Sequence, residues 1–398
     1  MITVKEVDKI ILDSIVKTGT ESVALDNCLG RVLAEDVFAD RDFPPFNRVM
    51  MDGIAIRFTD WQSGIRGFNV QDLLPAGSPA ITLRESGSCI EVMTGAVCPM
   101  HADTVIKYEQ ITFDNGVATV DPDPELSVNQ HVHPQGSDRK KEELIIGKGQ
   151  LITAAEIGVL ATVGKESILV KSQLKVAIVA TGDELVEVNQ TPLAHQIRKS
   201  NVYTLQAALK AKGFKSNVFH IVDSKEKLRS SLKTILENHN VVVLSGGVSK
   251  GKLDFVPEIL TELGVEKKLH FVKQRPGKPF WFGSYSNGSV FALPGNPNSS
   301  FAGLTRYVVP FLFRSQGFEP IAVKARLEAD FTFKPDLTYF LQVKLTYDTE
   351  ARLMATPHAG HGSGDLANLV EADGFIELPI GKTNFKKGEV FDCFPYRF

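Results

Sequence analysis

A run of β-branched residues that stops at two glycines, Val241-Val-Val-Leu-Ser-Gly-Gly247, constrains this chain more than any other stretch. Such a run suits a strand buried on both faces of a parallel sheet. Gly246 and Gly247 let the backbone turn sharply and approach a ligand closely. Ser249, Lys250, Lys252 and Asp254 follow at once, bringing a hydroxyl, two ammonium groups and a carboxylate. Ligands of open α/β sheets sit beyond the carboxyl ends of the strands, so this composition points to an anion with a metal ion close by. Gly246 to Leu253 also reads G-x-x-x-x-G-K-L, one residue short of a P-loop. The missing residue is the Ser or Thr that would hold Mg²⁺, which Leu253 cannot replace.

The same strand grammar recurs around this stretch. Strands are predicted over 175–180, 216–222, 241–244 and 290–293, alternating with helices over 201–212, 225–238, 255–263 and 299–314. Alternation of this kind builds a doubly wound, mostly parallel sheet with helices on both faces. Residues 280–283 and 289–293 are expected to pair as a hairpin across Asn287-Gly288.

The flanks read differently. Thr3 and Glu6 form a capping box for an N-terminal helix to about Lys17, and Asp26 is positioned to cap a second helix through Leu33. Thr153 and Glu156 cap another through Thr162. Between them, residues 43–136 are short β-prone runs broken by Pro, Gly and Asn115-Gly116, which suggests an inserted β domain. After about Pro320 helical periodicity disappears, and strand candidates at 323–331 and 340–347 suggest an all-β end. The reading is thus an α/β multidomain chain: a discontinuous helical domain (1–42 plus 137–172), an inserted β domain (43–136), an α/β sheet domain (173–318) and a C-terminal β-barrel-like domain (319–398).

Composition narrows the partners. The net charge of −3 supplies no field for nucleic acid or an anionic membrane. Four scattered cysteines make no C-x-x-C pair and fit a reducing cytoplasm. Met1 to Thr18 lacks the continuous apolar core of a signal peptide, and no apolar run is long enough for a bilayer. A soluble, cytoplasmic protein is expected.

If the strands are parallel, their ends converge on one edge. Thr181-Gly-Asp-Glu184, Asp223, the 245–254 stretch and Leu293-Pro-Gly-Asn-Pro297 would meet there, with the turn Lys273-Gln-Arg-Pro-Gly-Lys-Pro279 close by. Carboxylates facing Arg275 and Lys278 make a poor core. They suit a site where Mg²⁺ bridges carboxylates and phosphate oxygens while basic groups hold the remaining anionic charge. Structural roles compete: Asp223 with Glu226 also reads as a capping box, Asp254 as a helix cap, and Lys250 as a solvated lysine. The pairs His131/His133 and His358/His361 have no further ligands nearby, so no metal is assigned to them.

Six motifs in order then resemble one family. They are Met51-Asp-Gly53, Met93-Thr-Gly-Ala96, Thr181-Gly-Asp-Glu-Leu185, Ser245-Gly-Gly-Val-Ser-x-Gly-x-x-Asp254, Pro276-Gly-Lys-Pro279 and Leu293-Pro-Gly-Asn-Pro297. Together they resemble the molybdopterin molybdenumtransferases of the MoeA type, related to the gephyrin E domain. The resemblance implies an enzyme of molybdenum cofactor biosynthesis that takes adenylylated molybdopterin and molybdate, inserts the metal and releases AMP with Mg²⁺ present. It implies a homodimer, with a molybdopterin adenylyltransferase as a possible partner. By motif position it implies Asp52, Thr94, Glu184, Asp223 and Asp254 as catalytic residues, with the last three as metal ligands. Substrate contacts would come from Asp138, Ser249, Arg275, Lys278, Pro294, Pro297 and Ser363, the last in His361-Gly-Ser-Gly364.

The chain departs from the family pattern in three places. Asn47-Arg-Val-Met50 precedes Met51-Asp-Gly53 where Asp-Asn-Ser-Ala is usual, Arg275 stands where lysine is usual, and Gln342 lies where an arginine is common. These changes fall on the oxyanion side and leave the acidic set intact. The alternatives are a molybdopterin adenylyltransferase-like enzyme or a gephyrin-like scaffold without turnover. Which carboxylates serve Mg²⁺ and which serve substrate stays open, as does molybdate against tungstate.

Overall fold

The computed structural model describes residues 1–120, 125–248, 255–360 and 362–397. The chain divides into two compact units, Met1–Ala34 with Gly149–Ile157 and Ser167–Phe398, and Glu35–Lys148 with Gly158–Glu166.

The larger unit contains a six-stranded sheet. Its order is Ser216–Ile221, Val176–Thr181, Val241–Ser245, Gly288–Leu293, Trp281–Tyr285 and Glu266–His270. The first four strands are parallel, Trp281–Tyr285 runs against them, and Glu266–His270, antiparallel to that strand, runs with the first four. Every residue of the three strands at 176–181, 241–245 and 288–293 is buried, as the unbroken apolar runs require. Alternate side chains go to opposite faces. Val176, Ile178 and Ala180 join Val202, Leu205 and Leu209 of the helix Asn201–Ala211 in one core. Ala177 and Val179 join Leu228, Leu232 and Ile235 of the helix Lys225–Asn238 in the other.

At the C-terminus the strands Thr338–Tyr347, Leu353–Pro357, Val323–Leu327, Val390–Pro395 and Gly374–Leu378 pair in that order, and the last pairs back to the first. The result is a closed barrel, with one short helix, Asn368–Glu371, interrupting its otherwise all-β character. The smaller unit holds a mixed six-stranded sheet, including Gly53–Ile56 and Ser88–Val92. Its hairpin from Ile111–Asp114 to Val117–Val120 turns on Asn115 and Gly116, both at positive φ, as a two-residue loop of primed type demands.

Several local expectations are corrected. Thr3 and Glu6 make the capping box, but the helix ends at Asp13, because Ser14 caps it with its hydroxyl on the Ile10 carbonyl. Asp26 caps no second helix: it lies inside a single 3₁₀ turn, Leu25–Asn27, whose N-cap is Ala24. Asp223 is not the N-cap of Lys225–Asn238: that place is taken by Ser224, which makes no side-chain cap bond. The hairpin loop falls on Ser286-Asn287, since Gly288 already pairs with Tyr285. The helix predicted over 299–314 is three pieces, Pro297–Gly303, a π-turn at Leu304–Val308, and Val309–Ser315. Pro310 has no N–H to offer the preceding turn, and the helix widens just before it. Among the described residues no helix is long and apolar enough to cross a membrane.

Candidate functional site

The four parallel strands bring their carboxyl ends to one edge, as their register requires: Ala180 lies opposite His220 and Ser245, and Ser245 opposite Leu293. A cavity of about 310 Å³ opens there, with Glu184, Asp223, Gly247 and Pro297 on its walls. Asp183 Oδ1 accepts the backbone N–H of Asp223 at 3.0 Å, which fixes one strand end to the next. His220 Nε2 lies 3.0 Å from the Gly182 carbonyl and so serves as the donor there. Asn201 Nδ2 donates to Ser245 Oγ at 2.9 Å and to the Gly295 carbonyl at 2.7 Å, tying two more ends together. Gly247 has φ of +67°, and a Cβ there would lie 3.0 Å from Thr181 Oγ1 and 2.8 Å from Val256 Cγ2. The second glycine of the motif is therefore required for close packing. Thr181 Oγ1 is buried and has no hydrogen-bond partner among the described residues.

A second cavity, of about 430 Å³, lies on the other side of the Leu293–Pro297 turn. Pro294 and Asn296 line this cavity, whereas Gly295 and Pro297 line the first. Arg275, Lys278, Gln342 and Ser363 share its wall. Neither Arg275 nor Lys278 makes an ion pair among the described residues. The Arg275 guanidinium instead lies 6.0 Å from the rings of both Phe333 and Tyr339. Burial pushes the Tyr339 phenol above its ordinary pKa, with Arg275 pulling the other way. This pocket therefore presents two uncompensated cations to an anion.

Amides join the barrel loop to the sheet. Asn296 Nδ2 donates to Ser363 Oγ at 2.8 Å, and Asn298 Nδ2 to the Gly362 carbonyl at 3.0 Å. Gln342 Oε1 accepts from Asn298 Nδ2 at 3.3 Å and Asn368 Nδ2 at 2.7 Å. Gln342 is thus the acceptor at the centre of a buried neutral network.

Asp52, Thr94 and Asp138 belong to the smaller unit. Asp52 Oδ1 accepts both the N–H and the hydroxyl of Thr94, at 2.6 and 2.7 Å. The Thr94 N–H, and then its hydroxyl, hold the Asp52 carboxyl below the usual carboxylate range. Asp138 lies 2.8 Å from His133 Nε2, and Arg48 donates to His133 Nδ1 at 3.2 Å. Ser249, Asp254 and the lysines between them, with His361, lie outside the described residues.

The sequence reading passed over Asn201, Asn296 and Asn298 as agents, although Asn296 stood inside a quoted motif. Asparagine beside proline signals a turn first, and nothing local reveals a partner 67 residues away.

Residues 2–164 match the MoeA N-terminal region (domain I and II), 177–314 a probable molybdopterin binding domain, and 324–396 the MoeA C-terminal region (domain IV). A molybdopterin molybdenumtransferase of Synechocystis sp. is 39% identical over 382 residues, covering 95% of each chain. One from Staphylococcus epidermidis is 32% identical over 400 residues, covering 98% of this chain and 94% of its own. The crystal structure of the molybdopterin biosynthesis MoeA protein of Pyrococcus horikoshii OT3 superposes with a TM-score of 0.80 at 27% identity, covering 100% of both chains.

Proposed function

This chain belongs to the molybdopterin molybdenumtransferase (MoeA) family, and on that premise we propose that it inserts the metal of molybdate into adenylylated molybdopterin, releasing AMP. The observation that carries the reading is the pair of cavities on the two faces of the Leu293–Pro297 turn: one holds the carboxylates Glu184 and Asp223 beside Arg198 and Lys199, and the other holds Arg275 and Lys278 with no carboxylate on its wall. A substrate carrying a phosphate-linked nucleotide at one end and a metal-accepting group at the other needs such a division. Arg275 and Lys278 hold the oxyanion, Arg as a planar fork and Lys as a point charge, while Ser363 and the Asn296 turn close the pocket around it.

The donor set at the strand ends fits Mg²⁺. Among the described residues no group of three His, Cys, Asp or Glu can hold a metal. Mg²⁺, however, takes one or two carboxylates plus substrate phosphates, and Glu184 and Asp223 on one wall supply two. These residues would hold it, with Asp254 the third of the expected set. The ion would neutralise charge developing on the phosphate as AMP leaves. Asp52, fixed by Thr94, and Asp138 are proposed as further site residues, and the working species is proposed to be a cytoplasmic homodimer.

The test is AMP release from adenylylated molybdopterin with Mg²⁺, with and without molybdate. Release that requires molybdate and yields metallated pterin is expected. Release indifferent to molybdate would reassign the chain to a hydrolytic or adenylyl-transfer role.

A further inference from the structure

The turn that carries Arg275 and Lys278 is held from beneath by a residue with no assigned role. Gln274 is 3% exposed. Its Nε2 donates to the carbonyls of Pro276 at 3.3 Å and Gly277 at 3.1 Å. Its Oε1 accepts the hydroxyl of the buried Tyr307 at 2.6 Å. The amide of Gln274 is therefore satisfied on both sides and cannot rotate without losing a buried bond. Tyr307 is fixed in turn, stacked on Phe280 with centroids 5.0 Å apart, and it sits in the π-turn beside Arg306. Arg306 binds both oxygens of Asp8, at 2.8 and 2.7 Å, and Glu377 at 2.8 Å. A continuous polar chain thus runs from the N-terminal helix and the barrel to the cationic turn.

Peptide planarity gives this support a consequence. Carbonyl and N–H of a trans peptide point in opposite directions. With the Pro276 and Gly277 carbonyls both drawn onto Gln274, the N–H groups of Gly277 and Lys278 point to the other side of the loop. Two successive peptides can face one way here because Gly277 has φ of +86°. A Cβ at that position would lie 2.8 Å from Gln274 Nε2, so the glycine and the glutamine occupy their places jointly. Neither N–H donates to an acceptor among the described residues. Consecutive N–H groups arranged in this way form an anion-binding concavity.

We infer that Gln274, braced by Tyr307, is a positioning residue for the oxyanion: it holds the 276–278 peptides so that two backbone N–H groups join the Arg275 and Lys278 side chains in the basic pocket. The inference rests on the reading of that pocket as the molybdate site. It assigns affinity to neutral, buried groups and leaves the chemistry at the acidic edge untouched.

The experiment compares wild-type chain with Gln274→Met, Gln274→Glu and Tyr307→Phe. Calorimetric titration with molybdate alone is run beside turnover at varied molybdate, and thermal unfolding is recorded for each. Wild type must bind molybdate; if it does not, the site reading fails and the positioning role fails with it. If wild type binds, Gln274→Met is expected to raise the Kd and the KM for molybdate about tenfold, with kcat at saturating molybdate within about twofold. Tyr307→Phe, which leaves Nε2 in place, is expected to give about a threefold rise. Gln274→Glu keeps the acceptor for Tyr307 and loses the donor, so it should resemble Gln274→Met. Unchanged molybdate affinity in both Gln274 variants would overturn the inference. A fall in kcat that tracks lost thermal stability, with KM unchanged, would do the same, since that is the mark of a merely structural residue.

Discussion

The two cavities beside the Leu293–Pro297 turn are built by different rules. The one that holds Glu184 and Asp223, with Arg198 and Lys199 on the same wall, is a product of topology: four parallel strands end together, and each end contributes a short polar turn. Its groups are close to the strands that place them, and Glu184 is exposed. The basic one is a product of packing. Arg275 and Lys278 lie on a turn held by the adjacent Gln274, which is braced in turn by Tyr307, 33 residues further along and next to Arg306. One pocket is fixed by where strands stop, the other by what is buried behind it. Charge can therefore be placed by local sequence, whereas the orientation of the groups that bind an oxyanion depends on the whole unit.

Substitutions can break or sharpen that contrast. Glu184→Gln should lower kcat for molybdate-dependent AMP release by about 1,000-fold, as loss of a charge-stabilising group at a reacting centre does, with KM for molybdate unchanged. A parallel rise in that KM would show that the two cavities are not separate compartments.

Arg306→Met should have the next largest effect, a loss of about 3 kcal/mol in unfolding free energy, because it strands two carboxylates. Burial holds Glu377 above the usual carboxylate range, although Arg306 pulls it back. A carboxyl raised in the folded state favours folding while protonated and costs stability as pH rises through its folded pKa. Removing Arg306 lifts that pKa further, so the loss should be smaller at pH 5 than at pH 8. Denaturant titration at both pH values checks the sign.

Lys278→Ala should raise the molybdate KM about tenfold and leave the Mg²⁺ dependence alone. The smallest effect belongs to Thr94→Val, which removes the hydroxyl but not the N–H held by Asp52. The Asp52 carboxyl should then move part of the way back towards its ordinary value, followed by carboxyl chemical shifts across an acid titration.

The same contrast explains what could be read in the sequence. Residues 241–244 showed a doubly buried strand, and the helix at 225–238 appeared with its observed limits, because unbroken apolar runs and 3.6-residue stripes are local signals. Glu184 and Asp223 could be brought together from topology alone. Asp223 was also read as half of a capping box, yet its own N–H is taken by Asp183, a contact across two strand ends that no spacing rule contains. The helix over 299–314 read as continuous because Pro310 at a helix start and Pro310 in a helix interior look alike until the π-turn is seen. Gln274 carried no signal of its own, and Gln342 stood out only as a departure from the family pattern. A buried glutamine is informative only when its partners are known, and here they lie 33 and 26 residues away.

The most direct test of a divided site is to locate the metal itself. A crystal of the chain soaked in molybdate and measured at the molybdenum absorption edge should show anomalous density among Arg275, Lys278 and Ser363, within hydrogen-bonding reach of the Gly277 and Lys278 N–H groups. Molybdenum beside Glu184 and Asp223, with the basic pocket empty, would contradict the account.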